Sequence, residues 1–175
     1  MANLFKTILF LLGFLVFAPK SFSVQPPDDF ARSGIAVGVI VEDLEKSLDF
    51  YINVIGMTKV REFVVDSAKA GRMGLSDGES FDIKVLKLKD NEDASEWKIM
   101  SFSNKSDRNK QKFLPQANGY RYVTIFVRSM KPVLERIKKH GVKTLGESPL
   151  MLDATRQFVL VQDPDGNFVE LIGSI

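Results

Sequence analysis

A chain of 175 residues and 19.7 kDa has the length of one ordinary domain, and its 45% hydrophobic and 26% charged residues are those of a globular protein. Its 24 basic and 22 acidic residues leave a net charge of only +2, which argues against a dedicated nucleic-acid binder. The absence of cysteine excludes disulfides, thiolate metal sites and a cysteine nucleophile, and the single histidine, His140, excludes any mechanism needing two imidazoles in one chain.

Residues 1–23 have the layout of a cleavable export signal. Lys6 is a weakly basic start, residues 7–18 (TILFLLGFLVFA) are almost uninterruptedly apolar, and Ser21-Phe22-Ser23 places small residues where a signal peptidase reads. The apolar run is shorter than the roughly 20 residues that a spanning helix needs. The expectation is cleavage after Ser23 and export to the periplasm or the medium, with no stable membrane anchor left. Losing Lys6 and Lys20 brings the side-chain charge to zero.

After a polar lead-in (residues 24–34) comes residues 35–41 (IAVGVIV), a β-branched run that fits one buried strand. Asp43 is a candidate N-cap for a helix whose stripe is Leu44, Leu48, Tyr51, Ile52 and Ile55, and Gly56 suits the left-handed position that ends it. Strand-like segments follow at 58–65, 81–88 and 97–102, with turns at Ser76-Asp77-Gly78 and 91–93. Residues 104–112 (NKSDRNKQK) read as a solvated loop, since they lack the interleaved aromatics of a nucleic-acid patch.

The pattern then restarts. Residues 122–127 (YVTIFV) form a second β-rich run, Ser129 a second candidate N-cap, and Met130, Leu134 and Ile137 a second stripe, with Pro132 in the first turn and Gly141 as the stop. Strands are expected at 144–150, 157–162 and 167–172. An offset of 86 carries Val41 onto Val127, Leu44 onto Met130, Leu48 onto Leu134 and Tyr51 onto Ile137. The expectation is an α+β domain over residues 35–175, built as two consecutive βαβββ modules (35–103 and 120–175) joined by a loop at 104–119, with curled mixed sheets forming a cup.

Residues 41–57 (VEDLEKSLDFYINVIGM) and 162–172 (QDPDGNFVELI) resemble the opening helix and closing hairpin of the glyoxalase / bleomycin-resistance / extradiol-dioxygenase superfamily, the vicinal oxygen chelate proteins. The resemblance spans nearly the whole domain. It implies paired βαβββ modules around a cup that in many relatives holds a divalent metal, with one ligand from the first and one from the fourth strand of each module. On the first strands those places fall at Ala36 and Tyr122. Glu170 keeps the closing carboxylate. Its counterpart lies within residues 96–100, where Glu96 serves only if the strand starts early and other registers bring Lys98, Ile99 or Met100.

Glu170, joined by Glu96 in one register only, falls short of the three ligands that a catalytic metal normally takes from protein. No cofactor is therefore expected, and a divalent metal is disfavoured. His140, in the last turn of a helix, reads as a solvated helix-end cation rather than a replacement ligand. The residues expected to line the cup are Tyr122, Glu170, Arg156 and Lys98: a phenol, an acid and two bases that could orient a polar or anionic small molecule. A packed alternative has Tyr122 and Arg156 closing over Glu170 as a buried ion pair. Phe50, Tyr51 and Trp97 are assigned to the core. Three functions stay open: an exported metal-free small-molecule binder, a metal-dependent lyase, isomerase or dioxygenase, and an interaction module with a filled cup. A homodimer stays open as well.

Overall fold

The computed structural model describes residues 29–103 and 111–175, so the expected export signal and most of the basic loop lie outside the described residues. The chain divides into Met1–Phe30 and Ala31–Ile175, and the second unit carries the strands and helices described here.

The first module opens on β1 (Ala36–Ile40). Asp43, in extended conformation, then accepts the Lys46 backbone N–H at 3.1 Å and caps α1 (Leu44–Asp49). The helix widens into a π-helical stretch, Phe50–Ile55, and stops at Gly56, whose φ of 95° an L side chain rarely adopts. Next come β2 (Thr58–Val65), α2 (Ser67–Arg72), β3 (Phe81–Lys87) and β4 (Glu96–Met100). The short α2 was not expected from periodicity, although its cap is legible: Asp66 accepts the Lys69 N–H at 2.8 Å.

The second module repeats the order with β5 (Tyr122–Val127), α3 (Lys131–Lys139), β6 (Thr144–Met151), β7 (Arg156–Gln162) and β8 (Phe168–Ser174). Here the expected cap differs. Met130, not Ser129, is the N-cap of α3; its side chain has no oxygen to accept a cap bond, and its own N–H is given to Ser174 O at 2.7 Å on the neighbouring strand.

The strands form two four-stranded mixed sheets, ordered β1-β4-β3-β2 and β5-β8-β7-β6. In each, the first strand runs parallel to the fourth while the others are antiparallel, so the expected α+β pair of βαβββ modules is what the chain forms. One face of both sheets and the helices share a single core. Tyr51, Val54, Ile55, Leu86 and Ile99 meet Ile125, Met130, Val133, Val159, Val169 and Leu171 there.

Polar contacts tie the two modules together at this core. Arg136 on α3 donates from Nε to Val54 O at 2.8 Å and from Nη2 to Ile55 O at 3.1 Å, satisfying carbonyls that a helix end leaves bare. The Tyr51 hydroxyl donates to the buried Asp163 carboxylate at 2.7 Å. Asp163 also accepts from Asn167 Nδ2 and from the N–H groups of Asp165 and Asn167, while Asp165 accepts from Glu42 N and Ser47 Oγ. Burial raises the Asp163 carboxyl above its ordinary range and raises the Tyr51 phenol as well.

Candidate functional site

Side chains alternate across a strand, so with Val39, Ile99, Val123, Ile125, Val169 and Leu171 turned into the shared core, the residues between them line the opposite face of each sheet. In module two that face carries Tyr122, Thr124 and Phe126 from β5, and Phe168, Glu170 and Ile172 from β8. Thr124 and Glu170 are partners in the parallel register, and Thr124 Oγ1 donates to Glu170 Oε1 at 3.1 Å. Tyr122 is 54% and Phe126 74% exposed. Gln162, opposite Phe168, donates to Gln111 O at 2.8 Å, which draws the end of the inter-module loop over this end of the face.

The same face of module one carries Ala36, Gly38 and Ile40 from β1, and Glu96, Lys98 and Met100 from β4. The register answers what the sequence left open. Gly38 pairs with Lys98 as Thr124 pairs with Glu170, and the offset of 86 superposes the first strands, so Lys98 stands at the Glu170 position. Glu96 pairs with Ala36, one step earlier along that face.

Glu96 is engaged by cations. Arg61 Nη2 lies 2.9 Å from both carboxylate oxygens, Arg32 Nη1 3.5 Å from Oε1 and Lys98 Nζ 4.0 Å from Oε2. The Glu96 side chain is 6% exposed, covered by groups that are themselves a third to a half exposed, so the cover is thin. The Arg61 guanidinium holds the Glu96 carboxyl below its ordinary range. As a second metal ligand Glu96 is thus misplaced by register, and its oxygens are already taken.

Arg156 stands apart from Glu170. It opens β7 opposite Ser174, and its Nε donates to Asp153 Oδ2 at 2.7 Å. Asp153 also accepts the N–H groups of Thr155 and Arg156, and its carboxyl is held far below the usual range, the Thr155 N–H first among the causes. The alternative in which Arg156 closes over Glu170 is therefore not formed; the Arg156 side chain is spent on its own hairpin. His140 Nδ1 lies 3.5 Å from Asp49 Oδ2 at the end of α3, as a helix-end pair. Phe50 and Tyr51 are buried in the core, and Trp97 packs against it with its ring tilted on Tyr51 at 5.6 Å.

The four places that the sequence resemblance assigns to metal ligands hold Ala36, Lys98, Tyr122 and Glu170. They offer no donor, an ammonium, a phenol and one carboxylate. Among the described residues no three His, Asp or Glu side chains gather where they could hold an ion. This donor set does not fit a catalytic divalent metal. A solvent-open groove of about 670 Å³ lies between Gly56, the β3–β4 turn and the start of α3, lined by Leu88, Phe126, Arg128 and Arg136.

The sequence pattern of the Glyoxalase/Bleomycin resistance protein/Dioxygenase superfamily matches residues 35–171. The chain belongs to that superfamily. It is 29% identical over 132 residues to a lactoylglutathione lyase of Neisseria meningitidis, covering 75% of this chain and 83% of that protein. It is 26% identical over 132 residues to the lactoylglutathione lyase of Salmonella typhimurium, covering 75% and 85%. Among solved structures, a glyoxalase family protein from Bacillus cereus superposes with a TM-score of 0.69 at 18% identity, over 86% of this chain and 99% of that one. The trypanothione-dependent glyoxalase I of Leishmania major does so with a TM-score of 0.52 at 22% identity, over 82% and 87%. At these identities the two structures support the shared fold alone.

Sequence reasoning missed Arg61 and Arg32 at this face and Asp163 at the module joint. Arg61 had no signal, because a β-bulge between Lys59 and Arg61 resets the alternation of β2 and places Arg61 opposite Val85. Asp163 did have one, its place at the head of the Asp-Pro-Asp-Gly turn: Asp163 holds that turn's N–H groups and Asp165 reaches across to the first module.

Proposed function

We propose that this superfamily member binds a small polar molecule on its strand faces without a catalytic metal, and that it does so after export directed by residues 1–23. The observation that carries the reading is the pairing of Gly38 with Lys98, which puts an ammonium where a repeat of Glu170 would put a carboxylate. A cation at that place repels a divalent ion, and one carboxylate hydrogen-bonded to Thr124 would at best hold a hard ion that keeps most of its waters. Similarity to lactoylglutathione lyases supports the scaffold, while the donor set argues against carrying their activity over to this chain.

The test is metal content. After incubation with Mn, Fe(II), Co, Ni or Zn and desalting, the protein is expected to retain no stoichiometric metal, and Glu170→Gln is expected to change nothing in that assay. Near one equivalent, lost in Glu170→Gln, would instead support a metal-dependent lyase, isomerase or dioxygenase. Export is tested separately: expressed with its leader, the protein is expected in the periplasm or medium, with a mass lacking residues 1–23.

A second reading, the interaction module with a filled cup, is favoured by one observation in module one. There α2 lays Ala70 against Val65, Phe81, Ile83 and Val85, and these residues form a second core on the face that would otherwise be open.

A further inference from the structure

We infer that the unfilled part of the module-one face is an oxyanion subsite, in which Lys98 and Arg61, backed by Arg32, take a carboxylate or phosphate group of a small molecule. This rests on the metal-free binding reading and names the chemistry of the ligand. The residues form one row across the sheet: Arg61 on β2 is opposite Val85 on β3, Val85 is opposite Lys98 on β4, and Lys98 is opposite Gly38 on β1.

Three cations surround a single carboxylate, so the cluster carries an excess of two positive charges. Glu96 does not exhaust their donors. Arg61 meets it through one terminal nitrogen, and its Nε and other nitrogen have no acceptor among the described residues. Lys98 Nζ, at 4.0 Å, is beyond hydrogen-bond reach of Glu96. The Phe63 ring lies 5.4 Å from the Arg61 guanidinium carbon and restrains that plane without consuming its N–H groups.

The row also leaves room. Ala36 and Gly38 are the small residues of β1 beside Glu96 and Lys98, and a Cβ built on Gly38 would meet only the Met100 Cε, at 3.6 Å. An oxyanion seated beside Glu96, where both cations converge, would accept from the Lys98 ammonium and the free Arg61 N–H groups, with Gly38 leaving the Lys98 side of the seat uncovered. Their charge-assisted bonds are stronger than neutral ones and are arranged for a planar or tetrahedral oxygen group. Positive charge is thus supplied to ligand oxygens by side chains at the place where the scaffold otherwise presents carboxylates.

The experiment titrates the full chain, ¹⁵N-labelled, with inorganic phosphate, with succinate and with glucose, reading the amides of residues 96–100 and the Arg61 Nε–H. Saturable shifts are expected with phosphate, succinate or both, and the stronger of the two identifies the ligand group. Lys98→Met should weaken the binding at least tenfold, Lys98→Arg should retain most of it, and Lys59→Met, which removes an exposed cation paired with Glu62, should leave it unchanged. Absence of shifts with both anions, or equal binding by Lys98→Met, overturns the subsite. Shifts with glucose alone would overturn it while leaving the metal-free binding reading standing. Retained metal lost in Glu170→Gln would overturn that reading on its own.

Discussion

The two modules share one backbone plan and differ in what occupies it. Both pair a first strand with a fourth in the same parallel register, and both send one face into the shared core. Away from that core, module one is packed by α2 and otherwise crowded with cations around Glu96, whereas module two leaves Glu170 with Thr124 among exposed aromatic side chains. The two halves repeat the hydrogen-bond ladder and the core face, which the fold requires, while their outer faces carry different side chains, Lys98 standing where Glu170 stands in the other half.

Breaking the packed half should have the largest effect. Phe81 is 6% exposed and its ring packs tilted against Phe102 with centroids 4.8 Å apart, so Phe81→Ala is expected to cost about 3 kcal/mol in urea unfolding. Phe126→Ala on the open half, at 74% exposure, should stay within about 0.5 kcal/mol. Equal losses would mean that the two faces are packed alike. The joint between the halves comes next. Asp163→Ala removes the acceptor of four donors and should cost about 2–3 kcal/mol, while Tyr51→Phe, which removes only one of those donors, should cost about 1 kcal/mol.

How much of this could be read from residues alone follows the same division. The Asp43 cap, the Gly56 stop and both first strands were legible because each depends on neighbours within a turn or a pleat, and the 86-residue repeat because such a local pattern occurs twice. The candidate site was legible in part: Glu170 and Lys98 were named, but which of residues 96–100 faces outward depends on strand register, a long-range property. Arg61 entered through a bulge that no local pattern announces. The partner of Arg156 was not legible for a similar reason. Its position in sequence suited Glu170, but its own hairpin offered Asp153 three residues away.

A smaller effect concerns pH. The Glu96 carboxyl sits below its ordinary value of 4.5, so its pairing with Arg61 contributes stability that is complete above that value and lost as pH falls through the lowered one. Glu96→Gln should therefore flatten the acid limb of a stability–pH curve. Asp163 has the opposite sign. Burial raises it above 3.8, so the stability tied to its protonated form is complete below that value and is lost as pH rises through the raised one. Asp163→Asn should remove that second slope, and a wild-type curve that both variants reproduce would contradict these assignments.

The account depends most on the charge at a single place, where Lys98 answers Glu170. Elemental analysis of the wild-type protein and of Glu170→Gln, each incubated with Mn, Fe(II), Co, Ni or Zn and desalted, tests it most directly. The account predicts no stoichiometric metal in either protein. About one equivalent held by the wild type and lost in the variant would contradict it.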